Sequence, residues 1–397
     1  MVAIRYDKRF LSNIIYTFFL ILFQLLAPIY AQSSTGQVQI ATGIYDNSTG
    51  SPLIKLISSS KKSIDIMIYQ MDDDQVRTSL RQAIKRGVKI RVIQEPTPIG
   101  HPCKIFTAST SDDSENCRDQ KKLVKEVKKS RGAYVPFNKA ELCGVIGKSC
   151  YQHGKIVLID RSFAMISTGN FNSTSLCDLS QKPGTCNRDY SVVSNDQDTV
   201  RAMENIFEKD LLGKSYNLKS IVTSALAKKI TVSPISLDAI VQFIGTAKKS
   251  IQIQNQYLHE PNINNALIAA SHRGVKVEIT VSSVCSFGYP RSSTQELTTN
   301  IFTDFDHAKI SSQMFTRKIK VGGKPGYLHA KAIVVDKKRA WVGSMNGSTL
   351  SATRNREFGI FFDNSKWVHT LSSIMSSDQD NENGESWEDS LSCLHDR

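Results

Sequence analysis

Two short stretches carry the same ionisable residues at the same spacing. In YQHGKIVLID (residues 151–160), His153 is followed by Lys155 and Asp160. In YLHAKAIVVD (residues 327–336), His329 is followed by Lys331 and Asp336. The flanks are apolar and β-branched, which reads as strand. Residues two apart on a strand share a face, so each histidine and its lysine point one way and the aspartate the other. A single such histidine would be read as a core residue. Two in register, each with a lysine on its own face, do not suit a core, because charged side chains are rarely buried without partners. They do not suit a metal site either: lysine repels cations, and no carboxylate shares the histidine face. His307 also has a lysine two places on, but Met314 stands where the aspartate should be, so the full pattern occurs twice.

Two imidazoles and two ammonium groups brought together suit phosphodiester cleavage without a metal ion. One imidazole attacks phosphorus and forms a covalent intermediate. The other protonates the departing oxygen and then takes a proton from the incoming water or alcohol. The lysines hold the phosphoryl oxygens, a task magnesium performs elsewhere. No cofactor and no metal are expected.

The elements that must position these groups are themselves duplicated. KKSIDIMIYQ from Lys61 and KKSIQIQNQY from Lys248 are each followed, 25 residues after KKSI begins, by RGVK. Such internal similarity means two copies of one unit. Each copy reads as a strand (64–69 and 251–257), a helix (74–85 and 261–271), a glycine where a helix C′ residue belongs (Gly87 and Gly274), and a second strand (88–93 and 275–281). Strand, helix and strand joined by short links imply a parallel βαβ unit. The fold class expected is therefore α/β, with two homologous halves, residues 38–212 and 221–375. Downstream, STGN (167–170) matches GSMN (343–346), and NRDYSVV matches NREFGIFF. Glu357 lies 28 residues past His329 and Asp189 lies 36 past His153, the excess fitting an insertion that carries Cys177 and Cys186. The basic run RDQKKLVKEVKKSR (118–131) reads as a solvated helix face that could also meet an anionic surface.

H-x-K-x4-D followed by G-S-x-N resembles the signature of the phospholipase D superfamily. HAKAIVVDKKRAWVGSMN (329–346) matches it throughout, and HGKIVLIDRSFAMISTGN (153–170) has Ser167 in place of the first glycine, with Gly169 expected to free the turn one step later. IQIQNQYL (251–258) is similar to the I-x-I-E-N-Q-Y/F stretch of larger members, with Gln254 replacing the acid. The resemblance covers roughly residues 40–375. It implies two α/β sandwich halves about a pseudo-twofold axis, with the active site at their seam. It implies His153 and His329 as nucleophile and acid/base, with His153 favoured as the nucleophile. Lys155, Lys331, Asn170, Asn346 and Ser344 would bind phosphate, and Asp189 and Glu357 would orient the histidines. Asp160 and Asp336 belong to the catalytic motif, although their strand parity suggests that they tie down the neighbouring chain.

Bulk properties set the surroundings. The chain has 397 residues and a net charge of +13. Residues 1–31 combine a basic start, the apolar run IIYTFFLILFQLL and APIYA, which reads as a secretory signal peptide cleaved after Ala31. Without them the net charge is +11, and the tail 376–397, with seven acids and one arginine, leaves residues 32–375 at +17. That favours anionic partners. The tail itself reads as disordered. Eight cysteines behind a signal peptide suggest disulfides rather than zinc, which would show a CxxC pair. They admit about a hundred pairings; proximity in sequence suggests Cys103–Cys117, Cys143–Cys150 and Cys177–Cys186, leaving Cys285–Cys393. The resulting expectation is a monomeric secreted or periplasmic phospholipase D acting on phospholipid at a membrane surface. Alternatives are a metal-independent nuclease, a cardiolipin synthase-like phosphatidyltransferase and a non-catalytic module that binds anionic membranes.

Overall fold

The computed structural model describes residues 42–107, 112, 114–143, 149–286 and 289–393; the expected signal peptide lies outside them. The first copy contributes strands β1 (Gly43–Asp46), β2 (Ser63–Ile68), β3 (Lys89–Gln94), β4 (Ala133–Pro136), β5 (Ile156–Ile159), β6 (Phe163–Ser167), β7 (Cys186–Arg188) and β8 (Tyr190–Ser194). The second contributes β9 (Ile230–Val232), β10 (Ser250–Asn255), β11 (Lys276–Ser282), β12 (Ser311–Phe315), β13 (Lys320–Val321), β14 (Lys324–Leu328), β15 (Lys331–Val335), β16 (Arg339–Gly343) and β17 (Phe358–Phe362). Two seven-stranded sheets result, ordered β1-β8-β6-β5-β2-β3-β4 and β12-β11-β10-β15-β16-β17-β9. The duplicated βαβ unit is visible in each: β2 runs parallel to β3, and β10 to β11.

Local chemistry fixes the crossover helices. Helix α1 (Asp74–Lys85) starts where the Asp73 side chain accepts from the Val76 N–H, and it ends before Gly87 at φ +83°. That is the left-handed conformation a C′ glycine supplies at least cost. Helix α2 (Glu115–Lys129) holds most of the basic run; Cys117, Leu123, Val124 and Val127 face the core and most of its lysines and arginines lie on the outer faces, as a solvated helix face requires. Helix α3 (Gln197–Leu212) closes the first half, α4 (Pro261–His272) is the second crossover, and α5 (Ser365–Gln379) and α6 (Trp387–Ser392) complete the chain.

The apolar residues divide into three cores. Two lie on the outer faces of the two sheets. The third joins the halves: Ile156, Leu158 and Val192 of one sheet and Val334, Val342 and Ile360 of the other share it with Val200, Met203 and Phe207 of α3 and Val368, Leu371 and Met375 of α5. Burying apolar side chains from both copies in one cluster makes the seam part of the hydrophobic core, at about 25 cal/mol for each Å² removed from water.

Two expectations need correction. The tail from residue 376 is ordered as far as Cys393. Asp378 of α5 is 2% exposed and bonded to Arg188, and α6 is tied to the loop after β11 by Cys285–Cys393 and by the Ser390 hydroxyl. Composition alone suggested disorder, but a buried countercharge and a cross-link outweigh it. The strand faces also differ in detail. β5 begins at Ile156 and β15 at Lys331, so both histidines precede their strands. The four disulfides are Cys103–Cys117, Cys143–Cys150, Cys177–Cys186 and Cys285–Cys393, as proximity suggests.

Candidate active site

Each histidine is held by backbone from the other half. The His153 N–H donates to Arg356 O (2.9 Å), and the Arg356 N–H donates to Tyr151 O (2.9 Å). Symmetrically, β14 pairs in parallel with β7, and the His329 N–H donates to Arg188 O (3.1 Å). The insertion that lengthens the first copy is closed by Cys177–Cys186, whose second sulfur lies in β7. These cross-seam pairings place both imidazoles in one cleft of about 510 Å³, also lined by Asn170 and Asn346.

The orienting acids are exchanged between the halves. His153 Nδ1 lies 2.9 Å from Glu357 Oε2, and His329 Nδ1 lies 3.0 Å from Asp189 Oδ1. Spacing along the chain associates Glu357 with His329 and Asp189 with His153; the pairing in space is the opposite. A carboxylate at Nδ1 fixes the tautomer with hydrogen there and leaves Nε2 with its lone pair. Both acids are buried and ionised. Burial pushes each upward, but the bonded histidine and the nearby lysine outweigh it and hold both below the ordinary carboxylate value.

Ser344 does not face a phosphate. Its hydroxyl donates to Glu357 Oε2 at 2.6 Å and accepts from the Phe358 N–H, so it braces the acid. Thr168 does the same for Asp189 at 2.6 Å, with the Tyr190 N–H donating to its hydroxyl. Aligning STGN with GSMN puts Thr168 on Ser344, the signal that could have revealed it. Gly169 is not at positive φ. Its role is space, since a Cβ there would clash with the Asp189 carboxylate. Asp160 and Asp336 lie away from the cleft. Asp160 accepts from the N–H groups of Lys61, Lys62 and Ser63, and Asp336 from those of Lys248, Lys249 and Ser250. Their place among the catalytic residues is therefore corrected to the structural one their parity suggested: they anchor the KKSI turns.

Lys155 and Lys331 are fully buried beneath the histidines, and each donates to the carbonyl of its own histidine. Burial depresses both, Lys155 well below its ordinary value and Lys331 to about 8. Asn170 Oδ1 and Asn346 Oδ1 are buried without a protein partner. These are acceptors at two equivalent positions beside one cleft and call for a donor such as a water or hydroxyl, while the amide Nδ2 of each asparagine is the atom able to donate to a phosphoryl oxygen. Removing either ammonium should lower turnover about 10²-fold or more, the loss typical of a transition-state donor. Steady-state rates of folded Lys155→Ala and Lys331→Ala measure it, and near-normal rates would take the lysines out of the site.

Burial, together with the lysines, lowers His153 and His329 from 6.5 to about 4. At neutral pH both imidazoles are therefore uncharged until an anionic phosphodiester lies beside them. Between pH 6.5 and 4 the unfolded chain binds protons that the folded one refuses, so stability should fall as pH drops through that window. Urea midpoints against pH should show this slope, and a double His153→Gln, His329→Gln variant should flatten it. An unchanged slope would mean that other groups dominate.

Three supporting residues were not anticipated. Arg356 binds Asp210 of α3 through two nitrogens (2.9 and 3.1 Å), crossing the seam from the second half to the first. Arg188 crosses in the other direction, bidentate to Asp378 at 2.9 Å, and also binds Asp46 at 2.7 Å. Both arginines directly precede an orienting acid, in NRD and NRE, so the repeat itself carried the signal. Gln254 accepts from the Tyr190 hydroxyl (2.8 Å) and donates to Asp378 (2.9 Å). An acid at that position would face Asp378 with a like charge, which accounts for the amide here.

A paired α/β fold with two histidine–carboxylate couples across a seam defines a class. Residues 53–211 and 240–379 match the family described as "Cardiolipin synthase, PLD-like domain", and the chain belongs to that phospholipase D-like family. It is similar to the "Phospholipase D" of Rickettsia prowazekii (strain Madrid E), 28% identical over 151 residues, 38% of this chain and 66% of that protein. The "Phospholipase D Z" of Dictyostelium discoideum is 30% identical over 173 residues, 40% of this chain and 38% of that one. The "Cardiolipin synthase A" of Buchnera aphidicola subsp. Schizaphis graminum (strain Sg) is 22% identical over 357 residues, 83% and 66% of the respective chains. These matches thus span less than two-thirds of the relatives' own lengths. Phosphatidylserine synthase of Haemophilus influenzae Rd KW20 shares the fold, with TM-score 0.59 at 13% identity, covering 89% of this chain and 91% of that one.

Proposed function

We propose that the protein is a phospholipase D that cleaves the distal phosphodiester of glycerophospholipids to phosphatidate and free headgroup. The observation that carries this is the pair of histidines, one from each half, lining one cleft with each Nδ1 tied to the acid of the opposite half. In the first step, the negative charge of the bound phosphodiester raises the pKa of His329, which takes up a proton at Nε2. His153 Nε2 forms a bond to phosphorus as the P–O bond to the headgroup breaks, and the departing oxygen takes that Nε2 proton from His329. In the second, His329 takes a proton from water, the water oxygen bonds to phosphorus, and the P–N bond breaks. Lys155, Lys331, Asn170 and Asn346 stabilise the phosphoryl oxygens.

An alcohol in place of water makes the same steps a phosphatidyl transfer, a reading favoured by the similarity to the cardiolipin synthase over 83% of this chain. Four disulfides and the leader-like first 31 residues support a place outside the cytoplasm; among the described residues no helix is long and apolar enough to cross a membrane. The test is incubation with phosphatidylcholine, phosphatidylglycerol and plasmid DNA, each with excess EDTA. The expected result is phosphatidate from lipid, with full activity in chelator, because the proposed steps give the task of a cation to Lys155 and Lys331. Cleavage of DNA alone would replace lipid with nucleic acid, and loss of activity restored by calcium or zinc at the site would overturn the mechanism.

A further inference from the structure

The two halves are near copies, so positions where the copies differ along the cleft carry information that the shared residues do not. In the register that lays Lys61 on Lys248, Tyr69 lies on Gln256 and Gln70 on Tyr257; in the register of His153 on His329, Thr174 lies on Leu350 and Tyr151 on Tyr327. All of these residues line the cleft.

Contacts assign them to sides. The Tyr69 ring is 5.1 Å from that of His153, and the Tyr69 hydroxyl accepts from the Ile99 N–H. Tyr151 stands edge-on to Tyr69 and donates its N–H to Asn355, whose own N–H donates to Leu350 O. The Tyr327 ring is 6.3 Å from that of His329, and its hydroxyl accepts from Gln256. The Gln256 carbonyl accepts from the Ser282 N–H at the start of the loop that reaches Ser286, and Arg317 donates to Ser286 O. The His153 side thus presents Tyr69, Leu350 and Ile99, the last 73% exposed. The His329 side presents Gln256, Thr174, Ser286 and Arg317 at the corresponding places. Tyr257 and Gln70 follow the same division: Leu258, next to Tyr257, bridges to Gly347, which follows Asn346 and lies three residues beyond the Ser344 that braces the acid of His153. Gln70 O accepts from the Phe171 N–H, beside Asn170, two residues beyond the Thr168 that braces the acid of His329. Both walls carry polar groups and a tyrosine, Asn355 and Tyr151 on the His153 side and Tyr327 on the other, so the cleft is pseudo-symmetric in its chemistry. Its walls differ where Tyr69 faces the place of Gln256, Leu350 that of Thr174 and Ile99 that of Ser286.

We propose that this asymmetry sets the direction of the substrate: the diacylglycerol end lies along the His153 side and the leaving headgroup on the His329 side, with Arg317, Gln256 and Thr174 selecting it. This inference rests on the phospholipase reading. In-line displacement puts the leaving group opposite the nucleophile, so a headgroup beside His329 makes His329 the acid and His153 the nucleophile, independently of motif order. The wall chemistry also names the headgroup class. No carboxylate is among the described residues lining the cleft, and Arg317 is the one arginine or lysine among them. Hydroxylated or anionic headgroups find donors there, whereas a quaternary ammonium finds no countercharge.

The test uses short-chain dispersed phospholipids and reads two ratios of kcat/KM: phosphatidylglycerol over phosphatidylcholine at one acyl length, and octanoyl over hexanoyl at one headgroup. Both ratios are internal to a variant, so the fraction of folded protein cancels. Arg317→Gln should lower the headgroup ratio about tenfold, the worth of a charge-assisted hydrogen bond, and leave the acyl ratio. Ile99→Ser with Leu350→Thr should lower the acyl ratio several-fold and leave the headgroup ratio. The crossed response, or ratios that do not move, would overturn the orientation while leaving a phospholipase. A wild-type protein that turns over neither lipid would overturn the phospholipase reading and this inference with it.

Discussion

In the His329→Ala protein, phosphoryl label is expected to collect on His153. The two histidines look alike because the repeat makes their surroundings alike, but the proposed steps give them different tasks. Loss of the general acid should cost about 10²–10⁴-fold on a natural phospholipid, whose alkoxide leaving group needs a proton. On a p-nitrophenyl phosphodiester the leaving group departs as a stable anion, and the first step no longer needs His329. The P–N bond should therefore form at near wild-type rate. The second step should then stall, because no base remains to take a proton from water. The expected product is an acid-labile, base-stable adduct on the peptide containing His153, located by mass spectrometry. His153→Ala should form none on any substrate. An adduct on the His329 peptide in the His153→Ala protein would reverse the roles, and with them the direction inferred for the headgroup. No adduct in either variant, with wild-type turnover, would mean direct attack by water.

Much of this site was legible in the sequence because it is written twice. A lone His-x-Lys could be a core accident, but its second occurrence beside a second KKSI…RGVK unit required a common architecture. The same duplication gave the parallel strands and the crossover helices. Partnership across the seam was not legible. Spacing along the chain joins Glu357 to His329, yet β7 lies beside β14, and the turn at Arg356 lies beside Tyr151, so each acid meets the opposite histidine. That exchange depends on how two sheets dock, which no local pattern encodes. Ser344 was misread for a similar reason: its motif position suggested a phosphate, while the nearer Glu357 takes its hydroxyl. The tail was misread because composition reports average solvation. It does not report that Arg188 needs Asp378 as a buried countercharge, and removing one partner of such a pair costs about 3–5 kcal/mol.

The exchange of acids makes its own prediction, opposite to the one spacing alone would make. Glu357→Gln keeps the size of the side chain but replaces the carboxylate at His153 Nδ1 with an amide. Glu357 holds the tautomer that leaves His153 Nε2 free, so its loss should impair attack on phosphorus. The fall should be about 10²–10⁴-fold on phospholipid and on the p-nitrophenyl ester alike, by analogy with the loss on converting the acid of a histidine couple to an amide. Asp189→Asn disturbs His329 instead. It should cost a similar factor on phospholipid but spare the first step on the p-nitrophenyl ester, so a burst of p-nitrophenol should survive in Asp189→Asn and vanish in Glu357→Gln. Stopped-flow absorbance separates the two. The converse, a burst lost in Asp189→Asn and kept in Glu357→Gln, would show either that the histidine roles are reversed or that the acids serve their own repeats. The labelled histidine found in the His329→Ala trap decides between these. With His153 carrying the label, only in-repeat pairing remains, and the hydrogen bonds from His153 to Glu357 and from His329 to Asp189 would not be the ones that act in turnover.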